Sequence, residues 1–136
     1  MAQIRIFNPE ALAAPRGPYS LVASAAPGAK LIAIAGQFAV GRDGKLVGKG
    51  DIEQQAAQVF ANLGECLKAA GADWKNVIQF MSFLTRRQDI PGFAAWRQRE
   101  FPRLFPDGTW PPNTLLIVGG LVDEEMILEV QAIAAV

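Results

Sequence analysis

Apolar and polar positions change their spacing along the chain in an order that reads strand, strand, helix, strand, helix, strand, strand. Residues 20–26 are β-compatible, and Pro27-Gly28 makes a turn. Residues 30–40 form a second apolar strand with Gly36 inside it, and Asp43-Gly44 favours a tight reversal after it. Over residues 51–70 the period changes. Ala56, Val59, Phe60, Leu63, Cys66, Leu67 and Ala70 recur at steps of three and four, the stripe of an amphipathic helix. Asp51 is placed to cap its start, Gln54 completes a capping-box-like pattern, and Gly71 stands where a left-handed cap is wanted. Cys66 lies within the stripe and reads as a buried small hydrophobe.

Residues 77–84 are apolar on both faces, which predicts cover on both sides. Asp89 and Pro91 open a second helix carrying Phe93, Trp96, Phe101, Leu104 and Phe105. Pro102 removes a helical hydrogen bond, so this helix is expected to kink or end near Phe101. Asp107-Gly108 and Pro111-Pro112 lead rigidly into two final strands, 114–118 and 126–134, joined through Gly119-Gly120. With no repeat, low-complexity tract or linker, the chain reads as one domain over residues 1–136. The element order predicts an α+β sandwich of one sheet with two helices packed on one face. The sheet's other face is then left for another copy of the chain, so oligomerisation is expected, with its stoichiometry open.

Composition narrows the chemistry. The 136 residues include no histidine and a single cysteine, and 13 Lys+Arg balance 13 Asp+Glu. Catalysis through Ser-His-Asp or Cys-His is excluded, as are a histidine metal ligand, an internal disulfide and a thiolate zinc site. Zero net charge offers no basic footprint for nucleic acid or anionic lipid. The hydrophobic fraction of 51% suggests apolar surface that a partner subunit covers. Its longest apolar run, residues 31–37, is far short of the ~20 residues a spanning helix needs. The opening Met1-Ala-Gln-Ile-Arg-Ile-Phe7 has no secretory pattern, so a soluble cytoplasmic protein is expected.

Polar residues in apolar places mark the candidate chemistry. On the last strand, Met126, Leu128, Val130, Ala132 and Ala134 share one face, while Glu129 and Gln131 interrupt the other. A buried carboxylate is costly unless compensated, so Glu129 is expected to be paired, wet or protonated. Gly36, followed by Gln37, marks a bulge, a close ligand approach or a packing position under a helix. Gly17-Pro18-Tyr19 sets a phenol after a rigid turn, as a pocket wall or as an ordinary rim residue. Arg86 and Arg87 at a strand end, and Arg97, Arg99 and Arg103 along the second helix, read as solvated faces. Glu100 among them weakens a stripe for RNA. Gly41-Arg-Asp-Gly44 matches no phosphate-cradling loop.

Taken in order, five blocks resemble the RidA/YjgF/L-PSP family. They are Gly17-Pro18-Tyr19-Ser20, Ile34-Ala35-Gly36-Gln37, residues 54–71 ending Leu67-Lys-Ala-Ala-Gly71, Met81-Ser-Phe-Leu84 and Glu129-Val-Gln-Ala-Ile-Ala134. The resemblance implies a chorismate-mutase-like fold with a single mixed β-sheet, and a homotrimer around a central β-barrel with ligand clefts between subunits. It implies hydrolysis of 2-imino acids to 2-keto acids and ammonia, without metal or organic cofactor. In such members an arginine in a Pro-x-Arg-Ser/Thr motif holds the substrate carboxylate, and a glutamate on the last strand positions water. By resemblance Tyr19 is the pocket tyrosine, Ala35 and Gly36 line the pocket, and Glu129 is the catalytic glutamate. Leu115 stands where a backbone carbonyl assists it, beside Thr114. Asn113 stands where the arginine belongs and cannot reproduce a guanidinium. Ordinary 2-imino acid deamination is therefore in question, with Arg16 and Arg97 as the candidate replacements.

Three functions compete. The first is hydrolytic deamination of an imine or enamine, or a related addition of water at Glu129. The second is a non-catalytic trimeric module that binds a small molecule or a protein. The third is RNA cleavage, the poorest fit because the chain supplies little of the positive charge and of the acid-base groups that it needs.

Overall fold

A computed structural model describes residues 3–136; Met1 and Ala2, at the head of the opening heptapeptide, lie outside the described residues. The elements are β1 (Ile4–Phe7), β2 (Val22–Ala25), β3 (Leu31–Phe38), α1 (Ile52–Ala69), β4 (Val77–Leu84), α2 (Ile90–Leu104), β5 (Asn113–Ile117) and β6 (Leu128–Ala135). Strands β3, β6, β4 and β5 form one mixed sheet in that spatial order. Only β4 and β5 run parallel; β6 is antiparallel to both its neighbours. The first two strands form a separate antiparallel hairpin. Strand β1 is absent from the sequence reading, because four residues are too few for a period to show.

The two helices cover one face of the sheet. From α1, Ala56, Val59, Phe60, Leu63 and Leu67 are buried, as the stripe predicts, whereas Cys66 is only half-buried against the core. Phe60 is the hub of an aromatic cluster, its ring 4.9 Å from Trp96, 5.5 Å from Phe80 and 5.6 Å from Phe101. The Asp51 carboxylate accepts from the backbone N–H groups of Glu53 and Gln54. The expected return bond from the Gln54 side chain is not made; the Asp51 N–H donates to the Gly48 carbonyl instead. Gly71 takes the left-handed conformation that its place after the helix requires (φ +74°).

Helix α2 does not break at Pro102 but continues to Leu104. So near the helix end a proline costs one backbone hydrogen bond, and Phe105 N–H still donates to Phe101 O at 2.7 Å. Gln55 of α1, fully buried, ties the loop before that helix to the segment that leads into β6. Its amide donates to Gly48 O and Glu125 O and accepts from Ile127 N–H.

Among the described residues, neither helix covers the opposite face of the sheet. In β4, Val77, Phe80, Ser82 and Leu84 are buried beneath the helices, while Met81 and Phe83 on the other side are half-buried. Leu31 and Leu116, at the two edges, are 67% and 38% exposed. No helix of the described residues is long and apolar enough to cross a membrane.

Candidate functional site

Glu129 stands on the uncovered face of the sheet. Its neighbours in register are Phe38 on β3 and Phe83 on β4. Between Ile34 and Gln37 the β3–β6 register slips, so Ala35 and Gly36 form a bulge opposite β6. A Cβ at Gly36 would lie 2.7 Å from Glu129 Cδ and 2.8 Å from its Cγ, and closer still to Oε1. Gly36 is therefore the floor on which the Glu129 side chain rests, not a packing glycine under a helix. The carboxylate is half-buried, and among the described residues it has no ion pair or hydrogen bond. Pairing within the chain, one of the three expected compensations, is therefore not made by the described residues.

Asn113 opens β5, beside Phe80 of β4, with Leu115 beside Ser82. Ser82 Oγ donates to Asn113 Oδ1 at 2.7 Å. An isolated parallel bridge between Ser20 and Pro112 holds the preceding loop against this strand start. As a result Tyr19 borders a cavity of ≈ 310 Å³ with Arg16, Ala94, Arg97, Asn113 and Leu115. No acidic side chain lines it.

Arg97 overturns the expectation of a solvated arginine face on α2. Arg99 pairs with Glu53 at 3.0 Å and Arg103 with Glu100 at 3.4 Å, both partly in solvent. Arg86, at the end of β4, pairs with Asp89 at 2.7 Å. Arg97 is only 5% exposed, and neither Nε nor Nη1 has a partner. Its guanidinium lies over the Phe93 ring, 4.2 Å from the centroid. Burial pushes its pKa down to about 10, against an opposing pull from Tyr19. The sequence does carry a sign of this: Phe93, Arg97 and Phe101 are spaced by four, so Arg97 lies within the buried stripe of its helix.

The pleat separates the two halves of the candidate site. Ser82 pairs with Val130, and its hydroxyl reaches Asn113 on the helix side of the sheet. Glu129 and Phe83 are each one residue along, so they point to the other side. One protomer thus groups Tyr19, Asn113 and Leu115 with Arg16 and Arg97. Ala35 and Gly36 accompany Glu129, and Thr114 is exposed beside Met81 on the uncovered face. Among the described residues no group of three or more Cys, Asp or Glu side chains is placed to hold a metal ion.

The family model described as Endoribonuclease L-PSP matches residues 10–136. The chain belongs to the RidA/YjgF/L-PSP family. A RutC family protein of Synechocystis is 33% identical over 132 residues, covering 96% of this chain and 95% of that one. A goat protein named 2-iminobutanoate/2-iminopropanoate deaminase is 33% identical over 124 residues, covering 90% of this chain and 88% of its own. A solved Rid-family structure from Yersinia pestis, of a protein of unknown function, has a TM-score of 0.84 at 28% identity, covering 98% of each chain. Within this RidA/YjgF/L-PSP chain, Asn113 and Arg97 face a single cavity, and Arg16 borders it too.

Proposed function

We propose that the protein is a cytoplasmic homotrimer whose clefts between subunits hydrolyse an imine or enamine to a carbonyl compound and ammonia. The observation that carries this reading is the Glu129 carboxylate, unpaired among the described residues above the Gly36 bulge on a sheet face that neither helix covers. A carboxylate so placed accepts a proton from water as the water oxygen attacks the C=N carbon. Glu129 returns that proton to the nitrogen, giving the carbinolamine; as the C–N bond breaks, the carbinolamine hydroxyl yields its proton to the nitrogen, and ammonia leaves with Glu129 again anionic. The Leu115 backbone carbonyl is a second acceptor for the attacking water. No organic cofactor or metal is required for these steps.

The names of the goat and cattle relatives, both 2-iminobutanoate/2-iminopropanoate deaminases, support this chemistry. The uncovered apolar face, with Leu31, Met81, Phe83 and Leu116, supports assembly through the sheet. One observation favours the second reading, a trimeric binding module without turnover: Asn113, where the resemblance places an arginine, is neutral, and its Oδ1 already accepts from Ser82.

An amino-acid oxidase that generates the imine in place, with decay of the imine followed in the presence and absence of the protein, separates the two. Accelerated decay that is lost in Glu129→Gln supports hydrolysis. No acceleration, together with ligand binding, establishes the binding module.

A further inference from the structure

A buried guanidinium with no partner has lost its hydration without regaining it from the protein, a state that costs several kcal/mol unless an anion completes it. Arg97 comes close to that state: among the described residues its buried Nε and Nη1 have no hydrogen-bond partner, the Phe93 ring lies against the guanidinium, and the side chain borders a cavity. The remaining polar groups around the cavity are donors. Tyr19 contributes a phenol. Asn113 has its oxygen occupied by the Ser82 hydroxyl, which leaves its NH2 group to donate. Arg16 adds a second cation at the same cavity, and no acidic residue competes. Ile90, Ala94 and Leu115 supply apolar wall between these donors.

We infer that this cavity is an anion-receiving pocket in which Arg97, reaching in from the helix layer, binds the carboxylate of a small monocarboxylate ligand with Asn113 and Tyr19 as neutral donors. A single buried cation suits a single negative charge better than a phosphate, and the short apolar wall suits a short aliphatic chain. The pocket's anion chemistry stands on Arg97 as its one buried cation, with the exposed Arg16 beside it. That the rest of the ligand is a 2-imino or 2-oxo acid rests on the deaminase reading. Under that reading the carboxylate function has moved from the strand to α2, so the ligand is held from a different direction and the pocket selects a different side chain.

The test is calorimetric titration with 2-oxobutanoate, the stable product-like acid, against the wild type, Arg97→Lys, Arg97→Gln and Arg97→Met. The expected result is wild-type binding that weakens 10- to 100-fold in Arg97→Met and Arg97→Gln and is partly restored in Arg97→Lys. The neutral methyl ester of the same acid, tested on the wild type, is expected not to bind. That comparison needs no variant and so holds even where a substitution disturbs folding. Equal affinity for acid and ester, undiminished affinity in Arg97→Met, or no wild-type binding at tens of millimolar overturns the inference. Imine turnover is measured on the same samples. Binding through Arg97 without turnover removes the deaminase reading and leaves the pocket assignment. Turnover that ignores Arg97 removes the pocket assignment and leaves the deaminase reading.

Discussion

Glu129 lies across Gly36, filling the space that a side chain at residue 36 would need. The atoms in conflict belong to the carboxyl end of a flexible side chain, not to the backbone. Gly36→Ala is therefore expected to swing the carboxylate away while leaving the sheet intact. Imine turnover should fall at least tenfold with a melting temperature within about 3 °C of the wild type, since surface-side changes cost little. Full activity in this variant would show that the position of Glu129 over the bulge is immaterial.

Arg97 should cost the empty protein stability. A pKa pushed down to about 10 by burial corresponds to about 3 kcal/mol of penalty on the charged form. Contact with Phe93 offsets about 1–2 kcal/mol of it. Arg97→Met, which keeps an apolar stem of similar reach, is expected to leave the melting temperature unchanged or raise it by about 2–4 °C. Differential scanning calorimetry without ligand measures this. A fall of more than about 5 °C would make Arg97 a structural residue rather than a binding one.

The same depression gives a pH signature. Arg97 is protonated in the folded protein below its pKa of about 10 and in the unfolded chain up to the higher pKa of a free arginine. Between those values the unfolded state holds the extra proton, so this group's contribution to stability rises with pH there. Carboxylate binding needs the proton and runs the other way. Affinity should be flat from pH 7 to 9 and fall, approaching tenfold per pH unit, above about 10. Arg16 and the ionisable phenol of Tyr19 share the cavity, so the titration is repeated in Tyr19→Phe, where the same fall is expected.

Gln55 carries a separate expectation about the fold. Its amide serves Gly48 O, Glu125 O and the buried Ile127 N–H, and truncation leaves Glu125 O and Ile127 N–H without a protein partner, while Gly48 O keeps the Asp51 N–H. Gln55→Ala should cost about 3 kcal/mol, a drop of roughly 10 °C in thermal melting. A drop under about 2 °C would mean that water replaces the amide at little cost.

Local pattern carried much of this structure, and pairing across distance carried the rest. The α1 stripe, the Asp51 cap and the Gly71 stop are all set within one stretch of chain, and each is found where its spacing puts it. The Gln54 return bond failed because Gly48, outside the helix, reached the Asp51 N–H first. The parallel β4–β5 pairing joins segments about thirty residues apart, which no local period encodes. Glu129 stood out in sequence because it interrupts an apolar strand. Arg97 did not, because a cation in a helix rich in Arg and Glu reads as solvated until the four-residue spacing from Phe93 to Phe101 is given weight. The division of the site by the pleat also required the register, since alternation alone does not tell which face of β5 matches which face of β6.

Because Glu129 and Arg97 lie on opposite sides of the sheet, the account requires them to act on one ligand from two different subunits. Co-expression of Glu129→Gln with Arg97→Met, followed by imine-decay assay of the purified mixed oligomers, tests this most directly. Each variant alone should be nearly inactive. In a ring assembled at random from equal amounts, about a quarter of the clefts bring an intact Glu129 against an intact Arg97. The mixture is therefore expected to recover about a quarter of wild-type activity. Mixed oligomers no more active than either parent would contradict the account.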